Sequence, residues 1–201
     1  MNMDRTLWYA FSFIVVLLLF PIEGVAGVLK DKRDGKTYKT VVIGFQEWMA
    51  ENLNYKTRKS WCYNNKKSNC DKYGRLYTWW DAMDACPNGW RLPNDTHFEE
   101  LISAVGGSKY ATSKLKSKTG WSDNGNGEDS FGFAVKPAGN RNSHGDYRFL
   151  GECGYFWTSP ETEFPDSGYW AFCSELGEYN EPEYGVTEDK YYGLSVRCVK
   201  E

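Results

Sequence analysis

Six cysteines constrain the fold of this chain more than any other feature of its sequence. They follow an apolar leader and lie at positions 62, 70, 86, 153, 173 and 198. An even number of cysteines in an exported chain indicates disulfide bonds. The cysteines lack the CxxC spacing of a zinc site, and the two histidines, His97 and His144, stand apart from them. We therefore expect three disulfides and no structural metal.

The leader is the uncharged run 7–20, which ends at Pro21, and the small residues Gly24-Val25-Ala26 follow it. This pattern predicts a signal peptide, 1–26, cleaved after Ala26. The run is shorter than the roughly 20 residues of a membrane-spanning helix. Asp4 offsets Arg5 at the start of the leader, which leaves an uncleaved anchor as the alternative. We expect a secreted or cell-surface protein, the bacterial periplasm included, with no membrane span after cleavage.

Six cysteines allow 15 pairings, and sequence alone does not choose among them. Local patterns favour one set. Cys62 and Cys70 bracket a polar loop with turn residues, which favours a hairpin closed by a local bridge. Cys86 lies on the apolar stripe of a predicted helix and Cys198 on the apolar face of a predicted last strand. The favoured pairs are Cys62 with Cys70, Cys86 with Cys198, and Cys153 with Cys173.

The segment 76–101 predicts a helix, a stop, a short strand and a second helix. Apolar residues repeat at helical spacing over 79–86, and Pro87 ends that helix. A short extended run follows at 90–92. Asn94 then caps a helix whose apolar stripe runs from Phe98 to Val105, with Thr96 and Glu99 as an alternative capping box.

The rest of the chain predicts short strands and Gly-rich connections. A hairpin is expected over 28–45 with a two-residue turn at Asp34-Gly35, and 46–53 is a strand or a helical turn. A surface helix is expected at 108–118, and a loop at 175–189. These elements indicate one α+β domain over 27–201. Its further predicted strands are 131–135, 147–150, 154–159, 168–173 and 193–199.

Several long motifs resemble the Fibrobacter succinogenes major paralogous domain family. They are DGKTYKTVVIGFQEWMAENLNY at 34–55, LYTWWDAMDACPNGWRLPNDTHFEEL at 76–101, GFAVKPAGNR at 132–141, YFWTS at 155–159 and GLSVRCV at 193–199. That family resembles the C-type-lectin-like fold. The resemblance implies two helices flanking a small twisted antiparallel sheet, long loops on one side, and a bacterial exported protein. It also favours the bridge between the first helix and the last strand, Cys86 with Cys198.

The sequence does not favour an enzyme. Nucleophilic catalysis needs a positioned base, but His97 is expected to be exposed on the second helix and His144 to be solvated in a polar loop. With paired cysteines no thiolate remains, and phosphate-binding glycine loops are absent from the sequence. A cryptic hydrolase with two facing carboxylates is the least favoured alternative.

An acidic segment stands out near the end of the chain. From 149 to 189 there are ten Asp or Glu residues and no Lys or Arg. A solvated loop is the simplest interpretation. Glu181-Pro182-Glu183 resembles the Glu-Pro-Asn element of sugar-binding C-type lectins, with Glu in place of Asn, so Glu181 and Glu183 are weak calcium candidates. The acidic candidates for ligand contact are Glu161, Glu163 and Asp166.

Aromatic residues make up 17% of the chain. Most tryptophans fall in strand or helix patterns typical of a core. Trp121 follows Gly120 beside a polar loop, and it is the first aromatic candidate for an exposed contact. The others lie in or near long polar segments and are Tyr147, Tyr179 and Tyr184.

These patterns together predict a non-enzymatic recognition module that binds an extracellular glycan or protein through the loops of 120–190. A structural envelope protein that associates with itself is the alternative. The net charge of −3 disfavours nucleic acid as a partner.

Overall fold

The computed structural model describes residues 27–160, 167–174, 181–187 and 189–201. The leader lies outside the described residues, so its cleavage stays a prediction. Within these ranges the strands are β1 Gly27–Lys30, β2 Thr37–Ile43, β3 Gln46–Met49, β4 Ser60–Trp61, β5 Leu76–Tyr77, β6 Trp90–Arg91, β7 Ala138–Arg141, β8 Tyr147–Leu150, β9 Cys153–Trp157, β10 Ser167–Cys173, β11 Glu183–Thr187, β12 Leu194–Ser195 and β13 Val199–Lys200. The helices are α1 Lys67–Tyr73, α2 Trp79–Met83, α3 Asp95–Ala104 and α4 Ser108–Leu115. None of the helices in the described part of the chain is long and apolar enough to span a membrane.

The strands form two sheets. The first has the order β1-β2-β3-β13-β6, and the second has the order β11-β10-β9-β12-β5-β4. Beside this second sheet, β7 pairs with β9, and β8 pairs with β7. Most neighbours are antiparallel, but β12 and β7 each run parallel to β9. Helices and sheets in one chain confirm the predicted α+β class. The expectation of two helices and one small antiparallel sheet was too simple, because the described ranges hold four helices and a second, mixed sheet.

The first hairpin forms as predicted, but its turn is longer than expected. Lys30 pairs with Thr37, so six residues connect the strands instead of two. The buried Asp31 carboxylate accepts hydrogen bonds from the backbone and the guanidinium of Arg33, and the Asp31 carbonyl accepts one from Gly35 N–H. Asp31 therefore closes the wider loop, because its carboxylate and its carbonyl accept from backbone N–H groups of the loop that would otherwise lack a partner.

The central helix–strand–helix segment confirms the predicted order. Thr78 caps α2 through its side chain, and Asn94 caps α3 by accepting from His97 N–H. The helix α2 is shorter than predicted, and the chain makes a tight turn from Ala82 to Ala85 before the strand β6. The apolar stripe of α3 is buried as predicted and comprises Phe98, Leu101, Ile102 and Val105.

Two predicted segments have a different structure. The polar loop between Cys62 and Cys70 is not a hairpin, since a 3-10 turn and α1 fill it. The segment 131–135 is not a strand, because the carbonyls of Phe133 and Ala134 accept hydrogen bonds from Arg197.

The end of the chain also differs from the expectation. The predicted last strand divides into β12, in the second sheet, and β13, in the first. The part of the predicted loop 175–189 that is described contains β11. Because the last segment crosses between the sheets, the irregular segment 196–198 connects the second sheet to the first.

The structure contains the three disulfides favoured by the sequence: Cys62 with Cys70, Cys86 with Cys198, and Cys153 with Cys173. The first closes the turn that holds α1. The second joins the residues just after α2 to the last segment across 112 positions. The third joins directly paired residues of β9 and β10.

Two apolar clusters lie on opposite faces of the β9–β10 pair. Phe156 and Trp170 face the cluster that contains α3 and α4, whereas Trp157 faces the cluster that contains α2 and Leu194. Because side chains alternate along a strand, both faces of this pair are covered over much of their length. Tyr155 and Tyr169 lie at the edge of the second cluster.

Candidate functional site

A small cleft opens where the second apolar cluster reaches the surface of the larger sheet. Its cavity volume is about 240 Å³. We call it the tyrosine cleft, because three of its lining residues are tyrosines, each half-buried. The lining residues are Asn140, Tyr155, Tyr169, Thr187, Tyr192 and Leu194.

Strand pairing brings the first two tyrosines together. Tyr155 pairs with Ala171 and Tyr169 pairs with Trp157, so both tyrosines project from the same face of the sheet. Their ring centroids are 6.0 Å apart and the planes are nearly perpendicular, which is a favourable edge-to-face geometry. The outer strand β11 leaves room for this arrangement, because a Cβ at Gly185 would lie 2.4 Å from the Tyr169 ring.

Asn140 supplies an unusual polar group to the cleft. It lies on β7 and is only 7% exposed. Its side-chain oxygen, Oδ1, is buried and has no hydrogen-bond partner among the described residues. Buried polar atoms in folded proteins are nearly always paired, and an unpaired one costs about 1–3 kcal/mol. Because Asn140 lines the cleft, a polar ligand that reaches its amide would supply the missing partner.

Phe149 extends the aromatic surface beside the cleft. Its ring is 42% exposed and its centroid is 6.2 Å from that of Tyr155. Its backbone has a φ of 61°, in the left-handed region that a bulky residue rarely adopts. Such strain costs about 1–3 kcal/mol and is concentrated at functional sites. The strained conformation therefore supports a role for this surface.

The electrostatics of the cleft favour neutral hydrogen-bonding groups. Burial, followed by repulsion from Tyr169 and from Glu152 and Glu183, raises the pKa of Tyr155 to about 12. Its hydroxyl therefore stays protonated at neutral pH. The lining residues are neutral, and they offer aromatic faces, hydroxyls and an amide. These groups can bind a ligand and orient it, and none of them is a nucleophile activated by a base.

Three of the seven predicted contact residues lie in the described ranges, and they do not meet in this cleft. Trp121 is 6% exposed and packs in the first apolar cluster, so the prediction that it is exposed was wrong. The ammonium nitrogen of Lys116 lies 4.2 Å from the centroid of the Trp121 ring. The indole Nε1 of Trp121 donates a hydrogen bond to Ser117 Oγ. The polar sequence around Trp121 therefore supplies the partners that bury it.

Tyr147 and Tyr184 lie elsewhere on the surface. The Tyr147 hydroxyl donates to Asn65 Oδ1 at 2.9 Å, beside the turn that precedes α1. Tyr184 is 44% exposed, as expected, but it lies over Gly168 on the face opposite to Tyr169. The other predicted contacts lie outside the described residues and are Glu161, Glu163, Asp166 and Tyr179.

The weak calcium candidates do not form a recognisable site. Glu181 is half-buried and Glu183 is exposed on β11. In the described ranges no group of three or more His, Cys, Asp or Glu side chains is arranged to hold a metal ion. A calcium ion generally takes six to eight oxygen ligands, so these two glutamates do not by themselves indicate a calcium site.

The two histidines have different surroundings. His144 is exposed, as predicted. His97 is half-buried, contrary to the expectation, because its Nδ1 lies 3.2 Å from the backbone N of Asn94 and completes the cap of α3. A structural role therefore accounts for His97.

Asn140, Tyr155, Tyr169 and Tyr192 were not among the site residues predicted from the sequence. A signal was present in β9 and β10, because a tyrosine stands directly before Phe or Trp in YFW and in YWAF. Tyrosine is the aromatic residue that belongs where a buried surface meets water. Asn140 had no sequence signal, since its position depends on the pairing of β7 with β9.

Comparison with known proteins identifies the family. The sequence profile of the Fibrobacter succinogenes major domain matches residues 41–200, which include the end of β2 and every later element up to β13. No curated protein and no solved structure matches the chain. The matched region contains the whole tyrosine cleft and all three disulfides. The chain therefore belongs to the Fibrobacter succinogenes major domain family.

Proposed function

We propose that this protein is an exported recognition module with a C-type-lectin-like fold, and that it binds a neutral sugar ring in the tyrosine cleft. The observation that carries the proposal is the unpartnered Asn140 oxygen in the wall of a cleft lined by three tyrosines. A sugar presents both hydroxyls and an apolar C–H face. The hydroxyls suit the amide of Asn140, and the apolar face suits the rings of Tyr155 and Tyr169.

The size of the cleft limits the ligand. Its volume of about 240 Å³ is below the roughly 300–1,000 Å³ of clefts that enclose a drug-sized molecule. One sugar ring, at the end of a chain or as a side branch, is therefore the proposed contact. The exposed ring of Phe149 would extend the contact to a neighbouring unit.

The lectin-like arrangement is supported by the covalent frame. The Cys86–Cys198 bridge ties the region after α2 to the end of the chain, and the last strand β13 pairs with β3 near the start. The beginning and the end of the domain are thus held together, while the cleft lies on the other sheet. A frame of this kind can carry a binding surface without rearranging when the ligand binds.

A glycan array with the secreted protein tests the proposal. We expect binding to a set of neutral glycans that share one terminal sugar, with and without calcium. Tyr169→Ala should weaken that binding at least tenfold, because aromatic anchors at the centre of a contact contribute about 2 kcal/mol or more. Tyr110→Ala, which removes a tyrosine that is 48% exposed outside the cleft, is the matched control. Binding to no glycan, or equal binding by both variants, would reject the proposal.

A further inference from the structure

We infer that a second, separate cleft binds an anionic group of an extended ligand, such as the carboxylate of a uronic acid or a sulfate on an oligosaccharide. This cleft lies on the smaller sheet, between β2 and the loop 129–136. It does not share residues with the tyrosine cleft, so the inference is independent of the proposed function. We call it the lysine cleft.

The lysine cleft consists of two adjoining cavities of about 710 and 400 Å³. Glu51 and Lys136 line both cavities, so the two share a wall. The combined space is open and elongated, which suits a segment of a polymer better than a small compact molecule.

Lys136 is the central observation. It is half-buried, yet no carboxylate in the described ranges forms an ion pair with it. Burial, followed by repulsion from Arg197, lowers the pKa of its ammonium; the nearby Glu51 carboxylate raises it in part, and Lys72 and Lys39 lower it further. A partly desolvated cation among like charges gains more from a bound anion than an exposed lysine does.

The acidic residues of the lysine cleft are already engaged. Glu51 accepts from the backbone N–H of Lys39 at 2.7 Å, and Asp129 accepts from that of Ala134 at 2.8 Å. Asp71 pairs with Lys67 at 2.8 Å. The lining also holds four lysines, and they are Lys36, Lys39, Lys72 and Lys136. Lys36 is paired with Asp34, outside the lining, at 2.5 Å, so Lys39, Lys72 and Lys136 are the lysines that a bound anion would meet.

A fifth positive charge lies beneath the cleft wall. Arg197 is fully buried, and its guanidinium donates to the carbonyls of Phe133 and Ala134 in the cleft loop. The chain as a whole is acidic, with a net charge of −3. Residues 27–148, which form most of the cleft, hold 20 Lys or Arg and 14 Asp or Glu, a net charge of +6. Nonspecific attraction of a polyanion to this part of the chain is therefore expected, and the Lys118 control below separates it from binding in the cleft.

The loop that forms one wall is held in an unusual conformation. Asp129 and Ala134 have φ values of 47° and 51°, which non-glycine residues rarely adopt. The hydrogen bonds from Arg197 and to the Asp129 carboxylate fix this shape. Backbone strain of this kind is concentrated at functional sites, and here it lies beside Lys136.

Titration calorimetry at low salt tests the inference with three probes: trigalacturonate, a sulfated trisaccharide, and an uncharged trigalactose. Because calorimetry reports binding anywhere on the protein, the three probes are titrated into the Tyr169→Ala variant, in which the tyrosine cleft is weakened. We expect at least one of the two anionic probes to bind to it and trigalactose not to bind. Comparison of the anionic arms distinguishes a carboxylate from a sulfate as the recognised group. Raising the salt concentration should weaken the binding, as charge-dependent association requires.

Variants locate the binding. Lys136→Gln should lower the affinity about tenfold and the exposed Lys39→Gln about threefold, whereas the exposed Lys118→Gln outside the cleft should leave it unchanged. Tyr169→Ala should also leave it unchanged, which separates this site from the tyrosine cleft. Absence of binding by both anionic probes, or equal losses in the Lys136, Lys39 and Lys118 variants, would overturn the inference.

Discussion

Arg197 donates a hydrogen bond to the side-chain oxygen of Asn52 at 2.6 Å, although 145 positions separate them in the sequence. The same guanidinium donates to the carbonyls of Phe133 and Ala134. One side chain thus joins the last segment, the residues after β3, and the loop of the lysine cleft. Burial lowers the pKa of Arg197 to about 9, still above neutral pH, so the group remains charged in the core.

Arg197→Lys should destabilise the fold by about 2–4 kcal/mol, because one ammonium cannot satisfy three separated acceptors and each unpaired buried acceptor costs about 1–3 kcal/mol. Urea denaturation measures the change. The control is Arg148→Lys at a side chain that is 58% exposed, where we expect a change within about 0.5 kcal/mol. Equal stability of Arg197→Lys and the unmodified protein would refute the role of the guanidinium fork.

Lys116 should make the stability depend on pH. It is 2% exposed, and burial lowers the pKa of its ammonium from 10.5 to about 8. Below pH 8 the group is charged in both states and the burial cost is present in full. Between pH 8 and 10.5 the unfolded chain holds more protons, so the contribution of Lys116 to stability rises with pH.

Lys116→Met tests this dependence. The substitution removes a burial cost of about 3 kcal/mol, from the shift in pKa, and loses the hydrogen bond from Nζ to the Cys173 carbonyl. We expect the stability of the variant relative to the unmodified protein to be constant up to about pH 8 and to fall from there to pH 9.5. Urea denaturation across that range gives the difference at each pH. A difference that does not vary with pH would contradict the prediction.

The Cys86–Cys198 and Cys62–Cys70 disulfides should stabilise the fold by different amounts. Cys86–Cys198 closes a loop of 112 positions and Cys62–Cys70 a loop of 8. Loop-closure entropy then predicts stabilisation of about 4–5 kcal/mol for the long loop and about 2.5 kcal/mol for the short one. Replacing each pair by alanines and measuring urea unfolding compares them in one protein. A larger loss from the short loop would show that entropy does not determine the difference.

Phe149 should be strained in its backbone. At a φ of 61° glycine is unstrained and alanine is not, so Phe149→Gly should be more stable than Phe149→Ala by about 1 kcal/mol. Both variants remove the ring and should weaken glycan binding to the same extent. Thermal unfolding of the pair, followed by binding to the same glycan, checks both parts. Equal stability of the two variants would mean that the position carries no strain.

Local signals predicted part of this fold well. Asn94 caps α3, and the apolar stripe from Phe98 to Val105 is buried, because helix caps and helical spacing are properties of neighbouring residues. Arg197 shows where such signals fail. Cys198 was predicted on the apolar face of the last strand, and alternation puts its neighbour Arg197 on the opposite face. The segment instead crosses between two sheets, and Arg197 is fully buried.

The candidate site depended on information that the sequence does not display. Tyr155 and Tyr169 meet only because β9 and β10 pair in one register, and Asn140 joins them only because β7 runs beside β9. Trp121 was wrongly predicted to be exposed, because its neighbours in the sequence are polar. Its polar neighbours, Lys116 and Ser117, turn inward and cover it, whereas a polar sequence normally indicates an exposed loop.

The binding affinity and the stability of Asn140→Leu test the central claim most directly. Leucine has a similar size and needs no hydrogen bond, so the variant should be as stable as the unmodified protein or more stable, since the unpaired buried oxygen is removed. Its affinity for the best neutral glycan in titration calorimetry should fall at least tenfold. Unchanged affinity in the stable variant would contradict the account of the tyrosine cleft as a sugar-binding site.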